Sequence, residues 1–365
     1  MKIGTRLILG FLTVALLVGL IGFFSISQSE ITLKESLGQK FEFNTIDAME
    51  KIDRDLHARI VQWELTGQSG LVKNTLMESN QEFEQLYDIQ AYIDLQDEEW
   101  SSAHKNEITP FMQGIMNNTL SKELKARTNF LEKEVGFNVI GEVFITNKYG
   151  VNVAQTGKTT DYRQDDEEWW QHGEKSRLTV QGLEYDKSAN VLSTDVIIRI
   201  EGDDGEFIGV MKVILNIEDT FLIIEEAKKH EVNNVNIFLV SKTAEPIYST
   251  NGHEIFVDAA EREFFINLNA DSDFYILPGS ETRSETLVSY SRSLGYKTFE
   301  GLGWSLITTQ KTDELLISIT DLKNQVIIIA ITLVILVVIL ALLVGFYVAQ
   351  IISDPIIKLR NSADE

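Results

Sequence analysis

Cysteine is absent from this 365-residue chain. Neither a disulfide framework nor a thiolate metal site can form. Basic residues are scarce, with 32 against 55 acidic ones and a net charge of −23. No positive field exists to gather phosphates, which excludes a nucleic-acid-binding surface. Only 4 prolines and 9% aromatics occur, and 44% of residues are apolar, enough to bury a core. Catalytic signatures are missing too. The 5 histidines (His57, His104, His172, His230 and His253) show no HExxH or paired spacing. There is no nucleophile elbow, P-loop or dinucleotide glycine fingerprint. The many carboxylates lack a partner that would mark one as acid or base. Acidic loops such as "DDEE" and "GDDGE" lack the twelve-residue EF-hand pattern. The chain therefore reads as a non-enzyme that needs no cofactor and no metal.

Two long uncharged runs are present. Residues 7–26 read "LILGFLTVALLVGLIGFFSI". At ~1.5 Å rise per residue this run spans roughly the 30 Å hydrocarbon core of a bilayer. Lys2 and Arg6 precede it and place that end in the cytoplasm. A cleaved signal peptide would have a shorter apolar region and a small-residue cleavage site, which "FFSISQSE" does not supply. Residues 326–352 form the second run, long enough to span with some tilt, and Lys358 and Arg360 follow it. Both ends are thus expected inside, with residues 27–325 outside a plasma membrane. Neither run contains an ionisable residue, so no ion path is expected.

After the second run comes "IISDPIIKLRNSADE". Pro355 is suited to the first turn of a new helix, and Ile356, Leu359 and Ala363 then form a packing seam. Asp354, Pro355, Ile356 and Leu359 at this place resemble the start of a HAMP domain, the signalling module that follows the last span of many receptors. The resemblance implies a continuation and an output domain, such as a histidine kinase or chemotaxis domain, beyond Glu365.

Between the runs, residues 30–135 read as helical. Phe43, Ile46, Met49, Ile52, Leu56, Ile60 and Trp63 recur at three- and four-residue steps, broken at Gln68–Gly70. Strand signals start near 141: "GEVFIT", the turn "NKYG" and "VNVAQT", then "LSTDVIIRI", the turn "EGDDG" and "EFIGVMKVILNI". A helix is expected over 217–231. A second set follows, with "VNIFLV", "PIYST", "ETLVSYSRSL" and "GWSLITTQ". At an offset of about 95, Val143–Thr146 falls on Phe238–Ser241 and Gly209 near Trp304.

This order resembles the double Cache (dCache) sensor family over roughly residues 30–320. The resemblance implies an α+β fold: a long N-terminal helix and two tandem PAS-like antiparallel-sheet modules, flanked by two transmembrane helices. The implied organisation is a tail (1–6), a first span (7–28) and a helical stalk (29–137). A membrane-distal module (138–216), linker helix (217–233), membrane-proximal module (234–323), second span (324–352) and HAMP start (353–365) follow. The helical part is longer than the family's and suggests an extra lobe. Homodimerisation is a further implication.

The loop 161–171, "DYRQDDEEWWQ", sets two tryptophans beside four carboxylates. In the family this loop carries a tyrosine and then an Arg-x-Trp-Tyr-like element. Tyr162, Trp169 and Trp170 match its aromatic positions, while Glu167 stands where the amino-acid-binding version has arginine. Tyr185 and Asp186 fall near the family's pocket, and Ile214 replaces its amine-holding aspartate. Tyr and Trp rings offer apolar walls with polar tips and faces that attract cations. Glu167, Asp186 or Asp195 would supply counter-charge. The expected site is Tyr162, Glu167, Trp169, Trp170, Tyr185, Asp186 and Asp195, taking a small neutral or cationic metabolite such as an amine or amino-acid-like molecule. The competing readings are a packing role for the tryptophan pair, a dipole-stabilised acidic helix start at Asp165–Glu168, and a membrane-anchored surface protein that senses nothing.

Overall fold

A computed structural model describes residues 3–104, 107–186, 191–230, 235–252, 259–279, 284–315, 317–348 and 350–351. The HAMP-like segment 353–365 lies outside the described residues.

Helix α1 (Ile3–Gly67) runs unbroken for 65 residues. Its buried seam is Phe41, Thr45, Ala48, Met49, Ile52, Leu56, Ile60 and Trp63. Phe43, expected in that seam, is 69% exposed, because the three- and four-residue steps run back from Met49 to Thr45 and Phe41. The helix ends where expected, and Ser69 caps the next one by accepting from the Val72 N–H. Helices α2 (Gly70–Glu84), α3 (Ile89–Ser102), α4 (Pro110–Met116) and α5 (Thr119–Val135) form the helical lobe. Asp88, Thr109 and Asn118 cap the last three in the same way.

The first sheet comprises β1 (Ile140–Asn147), β2 (Asn152–Gln155), β3 (Leu178–Asp186), β4 (Val191–Glu201) and β5 (Phe207–Asn216), with α6 (Glu168–Lys175) between β2 and β3. Its order is β2-β1-β5-β4-β3, antiparallel throughout. Gly150 (φ 77°) and Gly205 (φ 84°) supply the left-handed turns expected at "NKYG" and "EGDDG". Helix α7 (Glu218–His230) leads to a second sheet of β6 (Asn236–Val240), β7 (Pro246–Ser249), β8 (Ser272–Leu277), β9 (Thr286–Arg292) and β10 (Ser305–Lys311). Its order is β7-β6-β10-β9-β8, the same topology. Helix α8 (Ala259–Ile266) stands where α6 stands in the first sheet. Neither α8 nor β8 is legible in the strand and helix signals of the sequence. A short α9 (Thr312–Leu315) links β10 to α10 (Ile317–Val348). Two helices, α1 and α10, are long and apolar enough to cross a membrane.

The two modules repeat down to single hydrogen bonds. The Val143 N–H donates to Thr156 Oγ1 (2.9 Å), and the Thr156 N–H to the Val143 carbonyl (2.8 Å). Ile237 and Thr250 exchange the same pair, each at 3.1 Å. Val143 thus matches Ile237, one residue earlier than the sequence offset places it. A one-residue slip exchanges the two faces of a strand, so this correction decides which side chains are equivalent.

Candidate functional site

Strand alternation sorts the first sheet into two faces. Val143, Ile145, Val196, Ile198, Ile200, Met211, Val213 and Leu215 join α1 in the main core. The alternate residues Phe144, Ile197, Val210 and Ile214 form a separate cluster with Trp169 and Trp170 of α6. The register lays out this second face in rows. Gln155, Phe144, Lys212 and Ile197 make one row, and Glu142, Ile214 and Asp195 the next.

Both tryptophans are 6% exposed and lie against the sheet. Trp169 meets Phe144 edge-on, with centroids 5.4 Å apart at 85°. The Lys212 ammonium sits 5.1 Å from the Trp169 ring centroid and 5.8 Å from that of Phe144. It is ion-paired to Asp195 at 2.8 Å, and both side chains are largely buried. Trp170 donates from Nε1 to Thr146 Oγ1 (2.8 Å) and packs against Phe207. An ion pair set under an aromatic ring on a buried sheet face is costly to desolvate, and well-packed apolar pairs in such places are often at least as stable.

Gln155 adds a second polar group to this floor. It is 0% exposed. Its backbone N–H reaches Ser121 Oγ (2.9 Å), but among the described residues neither Nε2 nor Oε1 of its side chain meets a hydrogen-bonding partner. Buried side-chain amides without partners are exceptional. Beside this face, between α5 and the β1–β2 edge, lies a cavity of about 350 Å³ whose wall includes Lys125, Glu132, Asn138, Glu142, Thr156 and Gly157. A Cβ at Gly157 would come within 2.7 Å of Glu142 Oε1, so glycine leaves that carboxylate its place.

The expected site residues divide. Trp169, Trp170 and Asp195 meet on this face. Tyr162 does not: it belongs to a cluster in the helical lobe, stacked on Trp100 (5.9 Å, 28°) and edge-on to Phe111 (5.1 Å). Burial, then the negative charge around Tyr92 and Glu82, raises its hydroxyl pKa. Glu167 is the exposed N-cap of α6 and makes no side-chain cap bond, while Glu168 opens the helix. Tyr185 and Asp186 lie at the end of β3 opposite Leu192 and Val191; their side chains lie outside the described residues. Arg163 is held by Asp165 (2.6 Å) and Asp94 (3.5 Å), which also raises its pKa, so it is not available as a substitute anion anchor. Lys212, Gln155, Glu142 and Phe144 escape sequence reading. The only signal for the polar three is a polar residue inside an otherwise apolar strand, as in "GVMKVIL".

Among the described residues no group of three His, Asp or Glu side chains could hold a metal ion. No protein-family model matches the chain, and no curated protein matches it. Solved structures do. The ligand-binding domain of the Campylobacter jejuni chemoreceptor Tlp3, in complex with L-valine, is 14% identical with a TM-score of 0.43, covering 77% of this chain and 96% of that one. An extracellular domain designated vpHK1S-Z8 is 11% identical with a TM-score of 0.46, covering 77% and 97%. An extracellular ligand binding receptor from Desulfohalobium retbaense is 16% identical with a TM-score of 0.37, covering 65% and 38%.

Proposed function

We propose that the chain is the sensing part of a two-span membrane receptor, and that its first, membrane-distal module takes a small molecule on the face beneath α6. The supporting observation is internal to the molecule. The two sheets share order and register, so each position in one has a counterpart in the other. Lys212 opposes Phe144 as Ile307 opposes Phe238. Asp195 stands two residues before Ile197, the partner of Lys212, as Val288 stands two before Tyr290, the partner of Ile307. Gln155 precedes Thr156 as Ser249 precedes Thr250. The second module fills the places of Lys212 and Asp195 with Ile307 and Val288 of an apolar cluster that also holds Phe238 and Tyr290, and the place of Gln155 with Ser249, bonded to Asn251. The fold therefore does not require charge here, and the first module carries it for another reason.

The face connects to the helices that run toward the membrane through α7 and α1. β5 leads directly into α7, whose Asp219 is ion-paired to Arg59 of α1. β10 leads through α9 into α10. A ligand that favours one arrangement of the α6 face over another biases these elements only through its differential affinity for the two. A HAMP segment beyond the second span would receive the shift.

The test is a thermal-shift screen of the full chain against amines, amino acids, organic acids and uncharged amides. It is repeated on Lys212→Ile/Asp195→Val, which installs the second module's residues. Stabilisation of the wild type that vanishes in the pair supports the proposal. Equal stabilisation in both rejects it.

A further inference from the structure

Gln155 points to the chemistry of the ligand, on the reading of the α6 face as the binding site. We propose that this ligand presents an uncharged amide edge, a primary carboxamide or a ring lactam, to the Gln155 side chain.

A glutamine amide offers a donor and an acceptor side by side. Here both are buried and bare. Leaving a buried polar atom unpartnered costs roughly 1–3 kcal/mol. A carboxylate would engage Nε2 and leave Oε1 bare, and an ammonium would do the reverse. An amide edge satisfies both at once in a plane. The cations on the face itself are already engaged, while Lys125 and Lys158 at the cavity wall bond backbone carbonyls. Lys212 is engaged by Asp195, Arg163 by Asp165, and Arg199 by Glu201 and the Glu174 carbonyl. Phe144, opposite Gln155 across the strand pair, and Trp169 above it give a planar molecule aromatic walls. A cavity of about 350 Å³ is walled by Glu142 of the adjoining row and by Thr156 and Gly157, the residues that follow Gln155, and Gln155 itself is not part of its wall. Because Gln155 itself is closed off, binding requires a local opening of the face, a change that a receptor can transmit.

Gln310 is the internal contrast. Its amide is also buried without partners. It lies on the α1 side of the second sheet, the side of Leu306 and Thr308, and the latter is bonded to Thr45 of α1. The pair partner of Gln310, Leu287, lines a space of only about 10 Å³, room for no more than a water molecule, while a cavity of about 330 Å³ farther along the same side is walled by Thr45, Leu306 and Thr308.

The experiment uses the full chain in lipid nanodiscs, melted with and without three sets of probes. Nicotinamide, uracil and hypoxanthine carry amide edges; acetate and succinate are carboxylates; ethylamine and putrescine are amines. The variants are Gln155→Met, close to glutamine in shape, and Gln310→Met. Without probe, both should melt at or above the wild-type temperature, since each loses a bare polar group; this reading also shows that they fold. An amide probe should stabilise the wild type and Gln310→Met alike. Gln155→Met should need a roughly tenfold higher concentration for the same shift, as expected for two lost neutral hydrogen bonds. Carboxylates or amines that stabilise the wild type and Gln155→Met equally would overturn the amide assignment and leave the sensing site standing. No shift from any of the three sets would overturn both.

Discussion

Lys212 and Asp195 make opposite demands on stability when replaced singly and together. Lys212→Met leaves the largely buried Asp195 carboxylate without its cation. It should cost about 2–4 kcal/mol in chemical denaturation, close to what breaking other buried pairs costs. Lys212→Ile/Asp195→Val removes both charges and should be neutral or stabilising by about 1 kcal/mol or more. A double variant less stable than the single would show that the ion pair serves the fold. Asp219 is a second residue with a measurable signature. Burial raises its pKa to about 6, the Arg59 guanidinium opposing that rise and Asp55 adding to it. The native state then holds a proton between about pH 4 and 6 that the unfolded chain has released. Stability should fall as pH rises through that window. Asp219→Asn should flatten the fall, which on the order of 2 kcal/mol of folding free energy makes visible in denaturation at pH 4.5 and 7. Burial raises the Asp53 pKa as well, with the same sign, despite its bonds to Ser293 Oγ and the Gly295 N–H. An unchanged slope in Asp219→Asn would place the titration elsewhere.

Elements carry the next level. The loop that delivers Trp169 to the sheet is anchored from the helical lobe. Asp97 Oδ1 of α3 accepts from the Tyr162 and Arg163 N–H groups, both at 2.9 Å, and Trp100 Nε1 donates to the Thr159 carbonyl (2.9 Å). Asp97→Ala removes two charge-assisted bonds and should destabilise by about 2 kcal/mol. Limited proteolysis should then cut first between 159 and 167. Cleavage there at the wild-type rate would mean that α6 alone fixes the loop. The same elements explain what the sequence could reveal. Turns were legible because glycine at positive φ and Asp-Gly pairs act locally, and the strands of the first hairpin because alternation is local. The break at Gln68–Gly70 was legible for the same reason. Nothing local announces that Tyr162 turns toward Trp100, 62 positions earlier, rather than toward Trp169 seven positions on. The floor residues were hidden because Lys212 and Gln155 become neighbours only through pairing with β1. The repeat is legible in the order of strands and turns, but the register of its first hairpin is fixed only by hydrogen bonds such as those of Val143 with Thr156 and Ile237 with Thr250.

At the scale of the whole molecule, both modules share one core. The seam of α1 from Phe41 to Trp63 meets residues of both sheets, including Val213 and Leu306. The helix therefore packs against both modules at once. The absence of cysteine makes the proposed topology directly testable, because a single introduced thiol is the only one present. Tyr87, at the tip of the helical lobe, and Lys242, in the β6–β7 turn, are exposed. Tyr87→Cys and Lys242→Cys should both react with a membrane-impermeant maleimide on intact cells. Labelling of either only after permeabilisation would invert the arrangement.

Hydrogen exchange tests the central claim most directly. It would be measured on the full chain with and without the compound that stabilises it most in the thermal screen. Protection is expected to rise in α6, β4 and β5 around Trp169, Asp195 and Lys212. The equivalent α8, β9 and β10 should change less, and only through α1. Protection concentrated in the second module, with α6 and β5 unchanged, would contradict a binding site on the first.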